Sequence, residues 1–206
     1  MLFRRVFPGL FLLLAAPIAA VAGTEGGATA AATEQEAAGE VAEAPTGGDF
    51  SLTSADGPVS LLDFRGRVVM LYFGYTACPD VCPTSIAYLG SALRGLSDDE
   101  LARVQPLFVS VDPVRDTPEK LKEYVDYFDI DMLGLTGREA DIARVAELYG
   151  VKYYEVELQG SAFGFAVNHS AALYLIDSEG ALRFVFPHQT PPEVMTEAIR
   201  YVLAGN

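Results

Sequence analysis

Two apolar runs of strand length dominate the pattern along the chain, Val68-Val-Met-Leu-Tyr-Phe73 and Val104 to Val111. Neither alternates with polar residues, which is the signature of strands covered on both faces. Between them, Cys82 to Leu96 has helical spacing, with Ile86, Leu89 and Leu93 on one side. Upstream, Val59 to Leu62 reads as a short strand and Asp63-Phe-Arg-Gly66 as a turn. Asp116-Thr-Pro-Glu119 predicts a helix start: Asp116 as cap, Pro in the first turn, and Glu three positions on. That helix is expected to reach about Phe128. A brief strand at Met132 to Leu135 and a helix from Arg138 to Tyr149, closed by Gly150, come next. Ala171 to Ile176 and Ala181 to Phe186 predict a hairpin across Asp177-Ser-Glu-Gly180, and Pro191-Pro192 opens a last helix ending at Leu203.

Strands alternating with helices, finished by a hairpin and a helix, predict an α/β protein with a mixed sheet. A buried strand, then a cysteine pair at a helix N-terminus, then βαβ units and a closing hairpin is the thioredoxin-like order. The expected fold is therefore thioredoxin-like, its mixed sheet flanked by helices and preceded by an extra N-terminal hairpin. The folded domain is expected over residues 49–206, a span long enough for one core.

The N-terminus has a different pattern. Arg4 and Arg5 precede an apolar stretch from Val6 to Ala22 that Pro8 and Pro17 interrupt, and Ala20-Val21-Ala22 has the small residues of a cleavage site. Residues 1–22 read as a signal peptide or as an N-terminal membrane anchor, with the arginines on the cytoplasmic side in either case. Residues 23–48 are Ala, Gly, Thr and Glu with no aromatic and no basic residue, an acidic linker expected to stay disordered. An exported protein, on the periplasmic side of the inner membrane, follows. The formal net charge of −14 argues against nucleic acid as a partner. Nothing suggests an obligate dimer, so a monomer is expected.

Export sharpens the meaning of the only two cysteines, Cys78 and Cys82, in Gly74-Tyr-Thr-Ala-Cys-Pro-Asp-Val-Cys-Pro83. Residues four apart are neighbours on a helix face, and Pro83 suits a first helical turn. Thiols at the positive end of a helix are biased toward thiolate, the form that binds metals and attacks disulfides. The pair could close a structural disulfide, although so short a loop constrains the unfolded chain little. It could act as a redox dithiol, although the spacing departs from the two-residue gap of thioredoxin motifs. Or it could grip a soft metal. His169, 87 residues beyond Cys82 in Phe165-Ala-Val-Asn-His-Ser170, is either a framework histidine at the mouth of a strand or a third ligand. Two thiolates and an imidazole suit copper, or zinc with a fourth ligand. His188 is expected to face solvent. Asp80 either shapes the loop between the cysteines or weakly ligates Cu(II), and Asp112 with Arg115 is expected to form a local ion pair. A peroxide-reducing thiol enzyme is the least favoured reading, since no activating arrangement of Arg or Thr around either cysteine is evident.

Three segments together, Tyr75-Thr-Ala-Cys-Pro-Asp-Val-Cys-Pro-Thr84, Val109-Ser-Val-Asp-Pro-Val-Arg-Asp-Thr-Pro118 and His169-Ser170, resemble the SCO/SenC family of copper chaperones. The resemblance covers nearly all of residues 49–205. It implies a thioredoxin-like domain outside the cytoplasm, usually behind one N-terminal anchor. It also implies delivery of copper, as Cu(I) or Cu(II), to the Cu-A centre of cytochrome c oxidase subunit II. A periplasmic copper donor and a thiol reductant are implied as further partners. By position Cys78 and Cys82 match the family's thiolate ligands and His169 its imidazole ligand. The alternative is a thiol–disulfide oxidoreductase that uses Cys78 and Cys82 to reduce the acceptor's cysteines before they receive metal. One residue departs from the family pattern: Asn168 stands where Asp commonly precedes the histidine.

Overall fold

The computed structural model describes residues 45–157 and 164–206. The expectations for residues 1–22, and for the linker up to residue 44, lie outside the described residues. Among the described residues, no helix is long and apolar enough to cross a membrane. Chain order begins with an antiparallel hairpin of β1 (Ser51–Ser54) and β2 (Gly57–Ser60). The predicted strand through Leu62 stops at Ser60, because Ser60 and Asp63 cap each other and turn Leu61–Phe64 into a 3-10 helix. Next come β3 (Val68–Gly74), α1 (Val81–Arg94), the single-turn α2 (Asp98–Leu101) and β4 (Val104–Ser110). The chain continues through α3 (Pro118–Asp126), β5 (Leu133–Leu135) and α4 (Glu139–Leu148). It ends in a ribbon of β6 (Tyr153–Glu157) and β7 (Phe165–His169), a hairpin of β8 (Leu173–Ile176) and β9 (Leu182–Phe186), and α5 (Pro192–Leu203).

The five-stranded sheet has the order β5-β4-β3-β8-β9, with β3, β4 and β5 parallel and β8 and β9 antiparallel to their neighbours. It is the expected mixed α/β sheet flanked by helices. The two continuous apolar runs are its central strands, and every residue of β3 and of β4 is buried. Helix α1 packs on α5, where Thr196 Oγ1 donates to Ala92 O at 2.9 Å. Helix α3 packs so closely on β5 that a Cβ at Gly134 would lie 2.7 Å from Leu121 Cβ. The folded unit starts before Asp49: the Gly47 N–H donates to Leu148 O, and the Tyr149 hydroxyl to Gly48 O.

One buried carboxylate joins three parts of this frame. Asp116, expected to cap α3, does not: Thr117 caps it, accepting the Lys120 N–H. Asp116 instead points inward, with no exposed surface. It accepts from the Thr76 N–H at 2.9 Å, the Thr76 hydroxyl at 2.5 Å, the Ser110 hydroxyl at 2.7 Å and Lys120 Nζ at 3.2 Å. It thereby ties the turn after β3 to the end of β4 and the start of α3. An Asp116→Asn protein places an amide NH2 among these donors. We expect it to lose about 2–4 kcal/mol of stability, since donors to a buried charge are left unpaired. A urea unfolding midpoint within experimental error of wild type would contradict this role.

Candidate metal centre

The segment that leaves β3 carries the site. The Cys78 N–H donates to Tyr75 O in a tight turn, held from below by Thr76 on Asp116. Helix α1 starts only at Val81, so Cys78 lies in the preceding loop and not on the helix's first turn with Cys82. This changes the chemistry of the pair. Asp80, at the N-cap position, makes no side-chain cap to the helix amides; its carboxylate accepts weakly from the Thr84 hydroxyl at 3.4 Å. The Cys78 sulfur takes the capping role, accepting the Cys82 N–H at 3.4 Å. An otherwise unsatisfied amide at the positive end of α1 is thus aimed at one of the two sulfurs.

His169 arrives from a different element. It is the last residue of β7, in a ribbon that the hydrophobic pattern did not reveal, and not the mouth of β8. Its Nδ1 lies 3.1 Å from Ser170 O. A carbonyl only accepts, so Nδ1 carries the hydrogen and the lone pair is on Nε2. Nε2 faces the Cys82 sulfur at 3.3 Å. The Tyr72 and Tyr75 rings stand edge-on to the imidazole at 6.2 and 5.8 Å and restrict its rotation. Arg115 supports this wall. It pairs with Asp112, as expected, donates to Phe165 O at 2.9 Å, and stacks 3.8 Å above the Phe165 ring and 5.7 Å from the Tyr75 ring.

The donor atoms of Cys78, Cys82 and His169 all lie within 4.8 Å of one another, and among the described residues no other such group exists. Cys82 has no exposed surface and Cys78 has 8%. The two thiols are pushed apart electrostatically. A hydrogen bond from Cys82, with further help from the Asp80 and Cys82 amides, outweighs burial and holds Cys78 down to about 4. Burial, then the neighbouring Cys78 sulfur, pushes Cys82 up. The pair gives up one proton readily and keeps the other. Two sulfurs and one nitrogen, with no carboxylate in the group, form a soft donor set that fits copper and is poorly matched to hard, oxygen-seeking cations.

A shallow depression of about 280 Å³ opens over the group. Cys78, His169, Tyr75, Asp80 and Asn168 line it, but Cys82 does not, so Cys82 is the innermost donor. Asn168 donates to the Tyr154 hydroxyl at 2.7 Å across the ribbon. The departure from the family pattern therefore changes the lining of the depression and not the donor group. His188 is exposed as expected, yet its Nδ1 sits 2.9 Å from the buried Ser85 hydroxyl, a contact with no signal in the sequence.

The family profile described as SCO1/SenC matches residues 38–204. "Protein SCO2 homolog, mitochondrial" of Bos taurus is 39% identical over 144 residues, covering 69% of this chain and 54% of that protein. A "SCO2-like protein" of Rickettsia felis is 35% identical over 134 residues, covering 65% of each. The chain thus spans about half the length of the mitochondrial relatives it matches. Bradyrhizobium japonicum ScoI, solved with copper bound, superposes with a TM-score of 0.68 at 36% identity over 76% of this chain and 99% of that one. Yeast Sco1 with copper bound gives 0.69 at 30% identity over 78% and 89%. Both neighbours share the thioredoxin-like fold described above. With a profile match over most of its length and these identities to its relatives, the chain belongs to the SCO1/SenC family.

Proposed function

We propose that this protein is a copper metallochaperone. It holds Cu(I) on Cys78, Cys82 and His169 outside the cytoplasm and passes it to the Cu-A centre of cytochrome c oxidase subunit II. The observation that carries the reading is the convergence of two sulfurs and an imidazole nitrogen within 4.8 Å, brought together from a loop, a helix and a ribbon. A three-donor set under an open depression leaves one side of the metal accessible, which a carrier needs and a storage site does not. Loading begins on Cys78, the sulfur held as thiolate and exposed to the depression. Cys82 then gives up its proton as it bonds to the metal. Release runs in reverse: each acceptor ligand that bonds to copper frees one donor, His169 or Cys78 first and Cys82 last. The metal remains Cu(I), and no electron moves.

A second reading has support from the same pair. A thiolate at Cys78 beside a protonated Cys82 is the arrangement of an attacking thiol and its resolving partner. In that role Cys78 attacks an acceptor disulfide, releasing one acceptor thiolate and forming a mixed disulfide; Cys82 then gives up its proton, attacks the Cys78 sulfur and displaces the second acceptor thiolate, leaving a Cys78–Cys82 disulfide. This chemistry uses both cysteines and does not need His169, which separates the two readings.

Anaerobic Cu(I) titration of the reduced domain against a competing chelator tests the first. Wild type is expected to bind one equivalent, and His169→Ala to bind at least tenfold more weakly. Equal affinity in the two proteins, with acceptor-disulfide reduction intact in His169→Ala, would put the reductase ahead. The thiolate assignment has its own test in the metal-free protein. Absorbance near 240 nm is expected to show one thiolate throughout neutral pH that is lost only as pH falls toward about 4. The second thiolate appears only above the ordinary thiol range of roughly 8.5. Two overlapping transitions near that ordinary value would contradict the shared-proton pair.

A further inference from the structure

Beside the depression over the metal donors lies a second groove, of about 300 Å³, between the loop after β4 and the β6–β7 ribbon. The two hollows share Val167, which stands two residues before His169 on the same face of β7. The groove's apolar surface comes from Val111, Pro113, Val114 and the two tyrosines Tyr153 and Tyr154. Val114 is 79% exposed and Tyr154 59%, and the two border the same groove, so they form a continuous apolar patch and not scattered single residues. The charge here is one-sided. Asp112 is neutralised by Arg115. Glu139 and Glu155 also line the groove, both are exposed, and neither has an ion-pair partner among the described residues. Lys152 lines a different hollow, with Glu147, past Tyr153.

We propose that this groove is the docking site for the copper acceptor. It would receive an acceptor segment in which a Lys or Arg sits beside an apolar side chain. The cation pairs with Glu139 and Glu155, and the apolar group covers Val114 and Tyr154. Because the groove runs into the metal depression at Val167, a segment seated there brings the acceptor's ligands to the side of copper bounded by Cys78 and His169. The proposal rests on the delivery reading above and adds where, and by what chemistry, the acceptor is recognised. Apolar contact supplies the desolvated centre of such an interface, while rim charges act mainly on the rate of encounter.

The test is stopped-flow transfer of Cu(I) from the loaded protein to the soluble copper domain of subunit II. Three proteins are compared: wild type, Glu139→Gln/Glu155→Gln, and Glu179→Gln/Glu193→Gln, which loses the same charge elsewhere. Cu(I) affinity, measured separately, is expected to be equal in all three. At low salt the groove variant is expected to transfer roughly five- to tenfold more slowly than wild type, and the remote variant within about twofold. The gap should close near 0.5 M salt, where the screening length is only about 4 Å. A Val114→Ser protein should transfer more slowly at both salt concentrations, because its loss is apolar. A groove variant as fast as wild type overturns the assignment, and so does a remote variant slowed as much as the groove variant. If wild type holds Cu(I) but passes none to the domain, the delivery reading itself fails and the docking site falls with it.

Discussion

The metal centre depends on how closely the first turn of α1 lies against the end of β3. At Gly74, the last residue of that strand, a Cβ would fall 2.8 Å from the Cys82 sulfur, 3.0 Å from the Tyr72 ring and 3.1 Å from the Phe108 ring. Only a residue without a side chain lets the sulfur sit there. Cys82 is thereby buried against the sheet while its N–H points at Cys78, and the inner donor of the site is set by backbone packing. The outer donors are set by polar contacts. Asp116 holds the turn that carries Cys78, and Arg115 and the two tyrosines hold the strand that carries His169. A deeply buried inner donor and two outer donors on separately anchored segments thus border one open depression.

The same division explains the electrostatics. Backbone amides and a neighbouring thiol converge on Cys78, while burial works against ionising Cys82. The site is neither two free thiolates, which would repel each other in a buried pocket, nor two neutral thiols, which bind Cu(I) poorly. It is a half-ionised pair, and in the proposed loading metal entry would release a proton from one sulfur only. Outside the site, the chain's net charge of −14 favours partners of opposite sign.

Much of this was legible in the chain, for identifiable reasons. Val68–Phe73 and Val104–Val111 read as buried strands because strands covered on both faces show an unbroken apolar run. The last helix was readable from its opening Pro191-Pro192. The ribbon of β6 and β7 was not: all but Tyr153 of β6 is exposed, so no apolar alternation marks it. His169 could therefore not be placed by pattern. A lone histidine has no spacing to test, and only the resemblance carried by the three motifs suggested it as a ligand. Asp116 was misread because its residue type fits a helix cap equally well. Its actual partner, Thr76, is 40 residues away, and sequence shows no such pairing. The i to i+4 spacing of Cys78 and Cys82 also fits one helix face, but the helix starts only at Val81, with the Cys78 sulfur in the loop accepting the Cys82 N–H.

If two sulfurs and one nitrogen of this chain share a single copper ion, X-ray absorption at the copper K-edge of the Cu(I)-loaded domain measures that coordination directly. Two sulfur neighbours and one imidazole nitrogen per copper are expected at dilute protein concentration. A spectrum with sulfur neighbours alone, whether two or three, would contradict that coordination.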